Sequence, residues 1–253
     1  IFIALSCSLT PAPEQFAPPV LGDIQILSSG TYGVSLKCPL SVNNDKALPS
    51  NIQVGFYLIP DNSGEASTID GRFSNGFVYA QVDDLSIGAG YTVKSFVKSG
   101  DYEVISGSLH FETDNPFTDP DFKSYLLDNF DSDGDGGMSE DEILAVTEIR
   151  VGTDNISTLD GVELFANLSI LECTGSYEGG YYGGSLRGLD LSQNHKLEYL
   201  QIKNNKNISQ LSLHNNMNLY WLGLSGTGIK DIDLSSNVSV SYIEAYNSSL
   251  SIL

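Results

Sequence analysis

The chain of 253 residues predicts a mainly β, multidomain protein: an antiparallel β-sandwich, a short helix–loop–helix and a repeat solenoid. Three observations predict it. Residues 22–113 are short apolar runs separated by turn residues, with no long helical pattern. An acidic, glycine-bearing stretch from Asp131 to Glu142 lies between two short helical patterns. From about Glu148 to Leu253 apolar residues recur with a period near 11, the mark of stacked repeats.

Composition narrows the function. Hydrophobic residues make up 41% of the chain and charged residues 17%, as in ordered soluble proteins. Twelve Lys and Arg against 32 Asp and Glu leave a formal charge of -20. That argues against nucleic acid as a partner, because phosphate contacts need clustered cations. It suits an extracytoplasmic protein bathed in calcium, and equally a solvated acidic surface. The first residue is Ile1 and the last repeat has no polar cap, so the sequence predicts a piece of a longer chain.

Residues 1–21 open with Ile1-Phe2-Ile3-Ala4-Leu5-Ser6-Cys7 and continue through a segment with four prolines between Ser8 and Pro19. The heptapeptide resembles the end of a signal peptide with a lipobox, departing from it at Ala4-Leu5. The resemblance implies lipidation of Cys7, with the Pro-rich stretch as an extended tether that lifts a domain off the membrane. An ordinary apolar strand is the other reading.

In residues 22–113 the expected strands are 23–27, 32–38, 53–59, 76–82, 91–98 and 104–112. Tyr91, Val93, Ser95 and Val97 share one strand face. The segment from Leu85 through Gly88-Ala89-Gly90-Tyr91 to Leu109-His110-Phe111-Glu112-Thr113 resembles the end of a fibronectin type III-like domain, which implies an Ig-type sandwich serving as a spacer. Cys38 and Cys173 sit at apolar strand positions of different domains, where a free thiol behaves as a small hydrophobe. His110 has no partner at metal-ligand spacing.

In residues 114–147 Asp119 is an expected N-cap and Pro120 suits the first helical position. Phe122, Leu126, Leu127 and Phe130 fall on one helical face, and a second helix is expected from Ser139 to Thr147. Between them Asp131, Asp133, Asp135, Gly137, Ser139 and Glu142 occupy positions one, three, five, seven, nine and twelve of a calcium loop, with Gly136 at the sharp turn. Gly137 would offer its carbonyl, and Glu142 both oxygens. The four carboxylates repel one another without a cation. The unit resembles a single EF-hand, which implies Ca2+; a dockerin carries two such loops. A solvated acidic linker is the other reading.

In residues 148–253 Leu186, Leu197, Ile208, Leu219, Ile229 and Val240 each open a unit of the form L-x-x-L-x-L-x-x-N, at spacings of 11, 11, 11, 10 and 11. Asn194, Asn205, Asn216 and Asn237 fill the ninth position, where a side-chain amide can bond the backbone of neighbouring coils. The pattern resembles internalin-like leucine-rich repeats, and the arrays of bacterial surface lipoproteins in which an EF-hand-like unit precedes the first repeat. The departure is Tyr177 to Gly184, read as an inserted flexible loop.

Third positions of alternate units place Tyr199, Trp221 and Tyr242 in one outward column, with Tyr246 beside it. Such a column either anchors a protein or glycan partner or pairs across strands and stabilises the sheet. No nucleophile–base arrangement or phosphate loop is legible, so no catalytic residues are expected. The leading expectation is a non-enzymatic, calcium-binding, adhesion-type lipoprotein of a bacterial outer membrane. The alternatives are the non-catalytic front of a larger surface enzyme, and a structural stalk.

Overall fold

The computed structural model describes residues 18–42, 52–100, 102–246 and 250–252. Cys7 and its tether lie outside the described residues. The first part holds β1 (Val20–Leu21), β2 (Gln25–Gly30), β3 (Gly33–Ser41), β4 (Gln53–Pro60), β5 (Ser67–Asp70), β6 (Arg72–Ser74), β7 (Phe77–Val82), β8 (Gly90–Ser99) and β9 (Tyr102–Glu112). They pair antiparallel in two sheets. One has the order β1-β3-β7-β6, with β2 also on β3; the other is β5-β4-β8-β9. Alternation along each strand decides the core: Val34, Leu36, Cys38 and Leu40 of β3 meet Tyr91, Val93 and Val97 of β8 in one cluster with Phe56 and Val78. The expected strands are present with ends moved by a few residues. β1, β5 and β6 were not expected, being short, largely exposed edge segments with no alternating apolar signal. His110 is exposed and bonds Asp61 at 2.8 Å.

Two α-helices follow among the described residues, α1 (Pro120–Phe130) and α2 (Glu140–Ala145). Asp119 caps α1 by accepting from the amides of Asp121 and Phe122. α2 is shorter than expected: Val146 closes it and is itself buried, so the chain turns at once into the next strand. No helix among the described residues is long and apolar enough to cross a membrane.

The rest is a solenoid, with β10 (Glu148–Gly152), β11 (Ile170–Thr174), a hairpin of β12 (Tyr177–Glu178) and β13 (Tyr181–Tyr182), then β14 (Tyr199–Gln201), β15 (Trp221–Gly223), β16 (Asp231–Ile232), β17 (Tyr242–Glu244) and β18 (Ser251–Ile252). The strands β10-β11-β14-β15-β17 form one parallel sheet; β16 and β18 pair separately. Of each two sequence units, one supplies a sheet strand and the other the return path. The opening leucines Leu186, Leu197 and Leu219 and the inward Leu200 and Leu222 are fully buried. Asn216 Nδ2 donates to Leu191 O and Asn194 O, and Asn237 Nδ2 to Leu213 O and Asn216 O, so each amide ties one coil to the one before. The segment from Tyr177 to Gly184 is not a structureless loop. Gly179 and Gly180 both have positive φ, which closes a two-residue hairpin turn, and Tyr182 packs over Gly226.

The two helices have no core of their own. One apolar cluster runs from Phe122, Leu126, Met138 and Ile143 into Ile149, Leu171, Leu200 and Leu222. Phe117 stacks on Phe165 at 6.1 Å and meets Phe122 edge-on at 6.2 Å. Tyr125 OH accepts from the amide of Arg150 at the outer edge of β10. Asp119 Oδ2 accepts from the amide and hydroxyl of Ser157. The helix pair is therefore the N-terminal cap of the solenoid, covering the edge that a repeat array must close. Cys38 and Cys173 are free and buried, and burial pushes the Cys173 thiol far above its ordinary range.

Candidate metal centre and binding face

The loop between α1 and α2 is built by its glycines and aspartates. Gly134 and Gly136 have φ of 72° and 85°, a region that disfavours side chains. Their amides turn inward onto one carboxylate: Gly134 N–H donates to Asp131 Oδ1 at 2.7 Å and Gly136 N–H to Asp131 Oδ2 at 3.0 Å. Asp133 Oδ1 accepts from the Asp135 amide, and Asp135 Oδ1 from the Gly137 amide. Ser139 caps α2, and Glu142 reaches back to it in a capping box. The other oxygen of Glu142 accepts from the amide and hydroxyl of Ser132, at 2.6 and 2.8 Å.

Carboxylate oxygens of Asp131, Asp133 and Glu142 come within 4.8 Å of one another. Burial opposes ionisation of Glu142, but the bonds from Ser139 and Ser132 outweigh it and hold its carboxyl below the usual range. Asp133 moves the other way. Burial raises it, the Asp135 amide works against that, and the charges of Asp135 and Glu142 work with it. The donor set is all oxygen and strongly anionic, on a loop whose backbone amides already fix the carboxylates. That fits a hard cation that takes several oxygens, as calcium does. Gly137 is buried, Ser139 half-buried.

Asp135 stands outside the gathered set. Its Oδ2 accepts from the hydroxyl of Tyr91, a residue of β8, at 3.2 Å. Sequence reasoning placed Tyr91 only on a strand face, and nothing in the spacing joins two residues 44 apart. Ser132, at a non-ligand position, was also missed.

On the parallel sheet the register aligns Tyr199, Trp221 and Tyr242 side by side. Tyr199 and Trp221 stack at 4.3 Å with planes 9° apart, and Trp221 and Tyr242 at 5.6 Å and 13°. Both faces of Trp221 are thus covered by its neighbours. Gly223 gives the indole its room, since a Cβ there would strike the ring. Lys203 Nζ lies 5.6 Å from the Trp221 ring and 2.6 Å from Glu244. Tyr242 and Tyr246 are 51% and 68% exposed. Beside this column Gln201 donates to Glu172 and Thr174, and Arg150 pairs with Glu148 and Glu172.

The opposite side carries Asp190, Ser212 and Asp233 at one position of successive coils. Each bonds the residue two further on: Ser192 N, His214 Nδ1 and Ser235 N. The Ser212–His214 pair therefore repeats a turn device, in which its neighbours use a carboxylate and an amide.

No protein-family model matches the chain, and no curated protein does. Among solved structures it is similar to the functional domain of InlJ from Listeria monocytogenes, described as including a cysteine ladder. The identity is 27% over 44% of this chain and 23% of that one, with a TM-score of 0.39. It is also similar to an internalin, InlF, from the same species, at 16% identity over 54% of this chain and 58% of that one, with a TM-score of 0.26. The chain thus spans less than two thirds of either protein, and likeness this partial says nothing of its partners or activity.

Proposed function

We propose that the chain is part of a calcium-binding, non-catalytic, adhesion-type surface protein whose leucine-rich-repeat sheet binds a protein partner. The helix–loop–helix is an EF-hand-like calcium unit, and the two-sheet part a fibronectin type III-like spacer. Cys7 carries a lipid anchor to a bacterial outer membrane. The observation that carries the calcium part is the loop itself: three carboxylates within 4.8 Å, Asp131 held by the amides of left-handed Gly134 and Gly136, Asp133 by the Asp135 amide and Glu142 by Ser132 and Ser139. A bound calcium ion would supply positive charge that relieves the crowding at Asp133. Asp131, Asp133 and Glu142 would hold it, with Asp135, Gly137 O and Ser139 completing the set.

The partner side follows from ring geometry. A sugar stacks on an aromatic face, and here the faces of Trp221 are taken by Tyr199 and Tyr242. What remains outward is the exposed Tyr242 and Tyr246 at one end of the stack, beside the Lys203–Glu244 pair. Such amphipathic, pre-ordered side chains suit a protein interface.

Calcium titration of the chain by calorimetry, with melting followed by the fluorescence of its single tryptophan, tests the central claim. Affinity on the order of 10⁻⁴ M is expected, with a melting temperature that rises with calcium. The rise should vanish in Asp131→Ala and Glu142→Ala, and magnesium should substitute poorly. Absence of both heat and a melting shift at millimolar calcium refutes the calcium part.

A further inference from the structure

The metal loop is not confined to the solenoid cap. Ile87 and Met138 exchange both backbone bonds, at 3.0 and 3.1 Å, and both side chains are buried. Ile87 belongs to the segment between β7 and β8 of the two-sheet part, yet its side chain enters the solenoid's core cluster. Gly137 lies flat against the same segment: a Cβ there would sit 2.8 Å from Ile87 O and from the Cβ atoms of Ser86 and Ala89. Lys123 of α1 donates to Gly88 O at 2.8 Å, and the Gly88 amide to Asp114 O at 3.0 Å.

Tyr91 adds a link to a metal-ligand candidate. Its hydroxyl accepts from the Ser86 amide at 3.0 Å and has one proton, which points to Asp135 Oδ2. Asp135 Oδ1 is held by the Gly137 amide. A carboxylate has about four lone-pair sites, so two remain for a cation. A donor on the second oxygen fixes the orientation of the carboxylate.

We infer that the two-sheet part forms the other half of the metal centre, with Tyr91 positioning Asp135 and Ile87 clamping Met138, so that calcium locks this part rigidly to the solenoid cap. The inference rests on the calcium reading above. Coupling of this kind is reciprocal: whatever Tyr91 contributes to calcium affinity, calcium returns to the joint.

The test uses the whole chain, with calcium as the titrant. Tyr91→Phe should weaken calcium binding by roughly five- to tenfold, the scale of one ordinary intramolecular hydrogen bond, as suits a bond of 3.2 Å. In an Asp135→Asn background the same change should have no further effect on affinity, which a merely structural role of Tyr91 would not predict. Spin labels at Ser29→Cys and Lys230→Cys, with Cys7→Ala, should show an inter-label distance distribution that narrows on calcium addition. Unchanged affinity in Tyr91→Phe, beside a wild type that binds calcium, overturns the inference and leaves the calcium reading standing. A wild type that binds no calcium overturns the calcium reading itself. Should Tyr91→Phe fail to fold, the wild-type labels decide: a distribution indifferent to calcium overturns the locked joint.

Discussion

Replacing Asp119 probes the attachment of the cap to the solenoid. Its Oδ1 accepts from Asp121 and Phe122 amides at the start of α1, and its Oδ2 from the Ser157 amide and hydroxyl. Losing an N-cap of this type costs about 1 kcal/mol. The two bonds to Ser157 are worth about 1 kcal/mol more, because Ser157 is near the surface and water replaces part of what is lost. Asp119→Ala should therefore destabilise the solenoid by about 2 kcal/mol, or about 5 °C in melting temperature. Asp119→Asn keeps an acceptor for the cap but turns an NH2 toward the Ser157 donors, so it should lose about half as much. The pH dependence separates charge from shape. Burial alone would raise the Asp119 carboxyl, but the bonds from Ser157, Phe122 and Asp121 outweigh it and its pKa is lowered. A group lowered in the folded state contributes stability above its unfolded pKa and loses it as pH falls through the folded value. The gap between wild type and Asp119→Asn should be full at pH 7 and shrink from about pH 4 downward. Urea titrations followed by Trp221 fluorescence measure it. Equal stability of the three proteins at pH 7, or a gap unchanged down to pH 3, refutes the reasoning.

Two further outcomes are expected. Trp221→Ala removes both stacked pairs and should cost the solenoid about 2 kcal/mol; on any protein surface the wild type binds, it should weaken binding far more than Asp233→Ala, and equal losses in surface plasmon resonance would leave the column as sheet packing only. Expression of the full precursor in a bacterial host should give a membrane-bound product that Cys7→Ala releases on fractionation, and equal solubility of both removes the anchor.

Local signals were legible because local chemistry decides them. Asp119-Pro120 fixed where α1 begins, and the 11-residue spacing fixed which residues turn inward. The register of Tyr199, Trp221 and Tyr242 followed from the same spacing. The hairpin at Tyr177 to Tyr182 was legible in principle, since Gly179-Gly180 is a two-residue turn signal between tyrosines. What was not legible depends on contacts between distant segments. Nothing in the spacing tells that Phe117 stacks on Phe165, that the helices share the solenoid's core, or that Ile87 pairs with Met138. α2 ends early because burying Val146 outweighs one more turn of helix, a tertiary effect that the helical pattern does not contain.

The placement of the joint bears on how the sheet face would be presented. A repeat surface binds with little entropic cost only if it is already ordered, and here the order has two sources. The ring stack and the Lys203–Glu244 pair hold the face itself. The cap holds the face to the rest of the chain, through Asp119 on one side and the Ile87–Met138 bridge on the other. The first is independent of calcium, while under the proposed joint the second depends on it. Removing calcium should therefore leave affinity for a partner that touches only the sheet nearly unchanged. It should weaken a partner that touches sheet and two-sheet part together, because that partner must then pay for ordering the joint. Measuring any partner in calcium and in chelator thus maps which parts of the chain it contacts.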